Sequence, residues 1–116
     1  MGWATSDFSA EGPSPDYSSL TLAEAQQVRF AIAKQADIYL AQQCTPLVAQ
    51  SVLKTLREAK LLASRLGNIT VKSLIDRRNL QAANIYLSRT LRSQLSVAIK
   101  ACKSIPSSIR AEIEDH

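Results

Sequence analysis

Thr70 to Lys103 separates its chemistry by face more cleanly than any other stretch, and this limits most what the chain can become. At about 100° per residue, Leu80, Leu87, Leu91, Leu95, Ala98 and Cys102 fall along one narrow apolar stripe. Arg78, Arg89, Arg92, Lys100 and Lys103 gather on the far side, within an arc of roughly 80°. One side can bury itself on other helices, while the other carries five positive charges and no acid. The pattern specifies a helix in a bundle with a basic surface.

Two helices precede it. Thr21-Leu22-Ala23-Glu24 is a capping box, in which Thr21 caps and Glu24 reaches back, and Ala25, Val28, Ile32, Ala36 and Tyr39 recur at helical spacing to about Gln42. Thr45 followed by Pro46 starts the second helix. Its expected buried face is Val48, Val52, Leu56, Ala59, Ala63 and Leu66, and Gly67 is placed to end it. Lys54, Arg57 and Arg65 lie away from that face, with Leu61 exposed beside them.

A helix from Thr70 to Lys103 would run about 50 Å at 1.5 Å per residue, longer than either of the first two. This mismatch predicts a break at Asp76-Arg77-Arg78-Asn79, with Thr70 capping a short helix to about residue 78. Asn79 then caps a long one from about 80 to 104, which Pro106 stops. Ser107 or Ser108 starts a last short helix through Ile109 and Ile113. Glycine is scarce and no stretch alternates as a strand does. The expected fold is all-α, an antiparallel up-down four-helix bundle over residues 20–116. Residues 1–19, rich in serine and carrying Gly12, Pro13 and Pro15, form an extended arm. Its Trp3, Phe8 and Tyr17 either dock on a partner or fold back on the protein's own surface.

At 116 residues and 46% hydrophobic content the chain supports one domain with one core. No apolar run approaches the ~18 residues of a membrane span, so a soluble protein is expected. The net charge of +4 is unevenly distributed. Ile38 to Ala111 holds twelve basic residues against two acidic ones, whereas Met1 to Asp37 holds two against five. A basic middle suits an acidic partner surface, which is protein, nucleic acid or lipid headgroup.

The chemical inventory argues against an enzyme. His116, the only histidine, is the last residue. No Gly-rich phosphate loop, nucleophile elbow or paired carboxylate occurs. Two cysteines with no histidine cluster do not make a zinc site. No catalytic residue, cofactor site or metal site is therefore expected. Cys44 and Cys102 fall at the same pole if the second and last long helices run antiparallel. They are either a disulfide, which implies an oxidising compartment, or separate thiols, with Cys102 buried as a small hydrophobe on the apolar stripe.

Val71-Lys72-Ser73-Leu74-Ile75-Asp76-Arg77-Arg78, followed by Leu91-Arg92-Ser93-Gln94-Leu95, resembles the PsbQ family of extrinsic photosystem II proteins. Two bundle helices of that family carry a V-K-x-[FL]-I-D-R-[KR] segment and then L-R-x-x-L on the next helix. Leu56-Arg57-Glu58-Ala59-Lys60 suits the same helix-pair pattern, and the likeness covers roughly residues 46–104. Where the family has a tryptophan shortly after the D-R-[KR] triplet, this chain has Leu80, and the spacing to L-R-x-x-L is shorter. The resemblance implies a four-helix bundle in the chloroplast thylakoid lumen. It would dock on lumenal photosystem II proteins and support oxygen evolution by helping retain calcium and chloride, without binding them as a catalyst. Arg78, Arg89, Arg92, Lys100 and Lys103, with Lys54, Arg57 and Arg65, are the candidate docking residues. The alternatives are a small basic helical module on nucleic acid or an acidic protein, and an oligomerisation bundle in which Leu61 and Tyr86 mark the interface.

Overall fold

Short polar side chains set the helix starts, because each new helix leaves backbone N–H groups without partners. In the computed structural model, which describes residues 15–102 and 105–114, Thr21 and Glu24 close a reciprocal box. Glu24 N–H donates to Thr21 Oγ1 at 3.2 Å, and Thr21 N–H donates to Glu24 Oε1 at 3.0 Å. Helix α1 then runs Leu22–Ala41. Thr45 Oγ1 accepts from Val48 N–H at 3.2 Å and Pro46 opens α2, Pro46–Gly67. Gly67 keeps a negative φ, and the chain leaves the helix at Asn68, whose N–H donates to Arg65 and Leu66 carbonyls.

The third helical rod departs from expectation at its start and in the middle, and it ends at Lys100 rather than near residue 104. Ser73, not Thr70, caps it, its Oγ accepting from Asp76 N–H at 3.0 Å. No break occurs at Asp76–Asn79, since α3 spans Leu74–Ile85 without interruption. The physical reason is that Asp76 sits in the first turn, where a carboxylate is stabilised by the positive end of the helix dipole. It begins a helix rather than ending one. The chain continues through a π turn, Tyr86–Thr90, into α4, Leu91–Lys100, staying right-handed helical across both junctions. Leu91 N–H donates to Tyr86 O, five residues back, so this turn holds more residues than the 3.6 of an α-helix.

That extra residue corrects the apolar stripe. Ala83, Leu87, Leu91, Leu95 and Ile99 are buried, each four residues from the last. In a straight α-helix a row of fours drifts by about 40° per step and leaves the core. A wider turn between Leu87 and Leu91 reverses part of the drift and returns Leu95 and Ile99 to it. Leu80 and Ala98, expected in the stripe, are only half-buried.

Helix α2 is the centre of the molecule, meeting α1, α3, the π turn, α4 and the last helix, α5 (Ser107–Glu114). Its buried surface is therefore wider than one stripe and takes in Ala49, Leu53 and Leu62 as well as the expected Val52, Leu56, Ala59 and Leu66. Ser51 and Thr55 are buried too, and each hydroxyl donates to the carbonyl four residues earlier, at 3.1 and 2.9 Å. This local bond makes their burial tolerable. Ile105 and Ile113 extend the core beneath α5. The described residues are all helix, turn or loop, with no strand, and no helix among them is long and apolar enough to cross a membrane.

Candidate docking face

Arg89 leaves the π turn, and Arg92 and Lys100 follow on α4. The three line one shallow depression of about 340 Å³, with the hydroxyls of Ser93 and Ser96 and the exposed Val97 beside them. No acidic side chain lines it, and among the described residues none of the three cations has an ion-pair partner. The depression presents three positive charges to solvent from one side of the molecule.

The other five candidate cations divide by what holds them. Arg78 is exposed on α3 but does not line the depression. It lies eleven residues before Arg89, roughly 16 Å along the axis. Lys103 lies outside the described residues, as do Trp3 and Phe8. On α2, Arg65 donates through Nε and a terminal nitrogen to Leu20 O, at 3.0 and 2.8 Å. Arg57 pairs with Glu112 of α5, and Lys54 is half-buried and has a partner as well. Arg65 and Arg57 thus tie distant parts of the chain together. Their placement on α2 was legible; their employment inside the fold was not, because Leu20 and Glu112 are distant in sequence.

A second concavity, about 210 Å³, lies between α2 and the π turn. Leu56, Ala63 and Leu87 form its apolar lining, Ser88 adds a hydroxyl, and Lys60 and Arg92 stand at it from two different helices. Lys60 was not singled out from sequence. Its signal was there, in that Lys60 and Ala63 share a helix face with Leu56 at spacings of three and four.

Tyr86 is half-buried rather than exposed, because the Arg29 guanidinium stands 5.0 Å from its ring centre and 4.1 Å from that of Phe30. Burial, and then Asp37, raise its phenol pKa, with Arg29 opposing. Leu61 is 39% exposed. Tyr17 is half-buried and folds onto the α2 side of the molecule, where it shares a concavity with Leu61 and Arg65. Burial and then the charge of Glu58 push its pKa from 10.0 to about 12.

Cys44, in the loop before α2, and Cys102, just past α4, are joined as a disulfide with Cα atoms 6.0 Å apart. Cys102 is also buried at 5% exposure, so it is both a cross-link and part of the core. Among the described residues no three His, Cys, Asp or Glu side chains cluster as a metal site. The two segments that resemble PsbQ do not fall on successive helices: residues 71–78 enter α3 and residues 91–95 open α4 of the same continuous rod. No protein-family model, curated protein or solved structure matches the chain.

Proposed function

We propose that this protein is a docking subunit without catalysis of its own, which binds an acidic protein surface through Arg89, Arg92 and Lys100. The observation that carries the reading is the depression lined by these three cations without a neighbouring acid. Such a surface gains from a negative partner and steers it on approach. The disulfide suits an oxidising compartment. In its most specific form the reading is a PsbQ-like extrinsic protein in the thylakoid lumen, peripheral on photosystem II, helping to retain calcium and chloride. Its support there is the likeness over residues 71–78 and 91–95. We read the architecture as an antiparallel up-down bundle, since the connections at residues 42–45 and 68–73 are short enough to return each helix beside the last.

The test is co-sedimentation with salt-washed photosystem II membranes across a salt series, with oxygen evolution as the second readout. Saturable, salt-sensitive binding that restores oxygen evolution is the expected result. Arg89→Glu with Lys100→Glu should weaken it by about tenfold or more. Absence of binding to membranes of several algal lineages removes the photosystem reading. Salt-dependent binding to a nucleic-acid duplex in the same buffers would replace the protein partner with phosphate backbone.

A further inference from the structure

The cleft between α2 and the π turn has a composition the docking reading does not use. Leu56 and Leu87, each 3% exposed, form an apolar floor, with Ala63 beside them. Lys60 and Arg92 bring positive charge to it from α2 and α4, and both are exposed. Among the described residues neither has an ion-pair partner. Ser88 offers its oxygen as an acceptor, its own proton being donated to Asn84 O at 2.7 Å. The walls are fixed to each other, because Asn84 Nδ2 donates to Ala63 O at 3.2 Å, linking α3 to α2 beside the cleft. At about 210 Å³ the space is smaller than the ~300 Å³ at which drug-sized pockets begin. It suits a narrow chain rather than a ring system. It shares Ser88 and Arg92 with the depression that holds Arg89 and Lys100.

We infer that this cleft binds a small anionic amphiphile, a single short alkyl chain ending in carboxylate or phosphate. The chain lies on Leu56, Ala63 and Leu87, where it loses contact with water. The anionic head lies between Lys60 and Arg92, where charge-assisted hydrogen bonds hold it. An apolar floor alone would accept any hydrocarbon, and cations alone would accept any anion. Their adjacency in a cleft with fixed walls selects a molecule that has both. The π turn builds the site by placing Leu87 inward, Ser88 at the mouth and Arg92 one turn beyond.

Isothermal titration of the intact, disulfide-bonded protein with decyl phosphate and with decanoate, each below its micelle concentration, tests this. Decyl maltoside and inorganic phosphate serve as the uncharged and tail-less probes. Saturable one-to-one binding of an anionic amphiphile, at least tenfold tighter than either control, is expected. Preference for decyl phosphate or for decanoate assigns the head group. Lys60→Gln should weaken binding by about tenfold, and Ala63→Met should abolish it by filling the floor, with circular dichroism checking that both variants stay helical. Equal binding of decyl maltoside or inorganic phosphate, or an unaltered affinity in Lys60→Gln, overturns the assignment. The site shares only Arg92 with the docking cations. Lys60→Gln should therefore leave partner docking intact, and Lys100→Glu should weaken docking while leaving the amphiphile bound, so that either reading can fail alone.

Discussion

Arg57, Arg65 and Lys60 occupy one helix, yet only Lys60 keeps its charge for the outside. Arg65 spends its guanidinium on the Leu20 carbonyl and so fixes the residue that precedes the first capping box. Arg65→Ala should destabilise the fold by about 1–3 kcal/mol, whereas Arg92→Ala, on the open face, should stay within about 0.5 kcal/mol. Urea denaturation of the two variants side by side checks the contrast. Tyr17 gives a pH signature. Its phenol is raised to about 12 by burial and then by Glu58, so between pH 10 and 12 the folded chain keeps a proton that the unfolded chain has released. Stability is undiminished below pH 10 and should fall as the pH rises from 10 to 12. Ultraviolet titration should show a phenol ionising near pH 12 that is lost in Tyr17→Phe, and the same substitution should flatten that part of the stability profile.

Among the elements, the loop before α2 and the end of α4 are held by a bond that closes 58 residues of chain. In the chain-entropy account a loop of this size is worth about 4 kcal/mol. Reduction, or Cys44→Ser with Cys102→Ser, should lower the urea midpoint accordingly, and the first region to lose protection in hydrogen exchange should be α5. Its Arg110 donates to the Cys102 carbonyl, so release of Cys102 loosens its attachment. The π turn makes a sharper prediction. Deleting Arg89 changes the buried steps from four, four, four, four to four, three, four, four, which suits an uninterrupted α-helix. The deletion should fold cooperatively and keep its helix content. Inserting one alanine after Thr90 instead turns Leu91, Leu95 and Ile99 by about 100° away from the core, and should cost on the order of 3 kcal/mol or more. If thermal unfolding ranks the two the other way, the turn is not what sets the register.

At the scale of the whole molecule, the basic middle of the chain does not become one basic face. Arg57 and Arg65 are internal ties on α2, Arg89, Arg92 and Lys100 line an open depression on the π turn and α4, and Arg78 stays apart on α3. Binding to an acidic partner should accordingly depend on Arg89, Arg92 and Lys100 but little on Arg78. A single Arg78→Glu variant in the salt-series assay separates it from Arg89→Glu. The sequence by itself determined what is decided within a few residues: the caps at Thr21 and Thr45, Pro46 at the start of α2, the end of that helix at Gly67, and the helical character throughout. These follow from bonds between a side chain and the backbone three residues away, or from apolar spacing within one helix. The tertiary structure alone decided the rest. It set the register beyond Tyr86, because a π turn is a compromise between two packed ends that neither end encodes. It also chose which cations remain open, because Leu20 and Glu112 reach Arg65 and Arg57 only after the chain has folded back on α2.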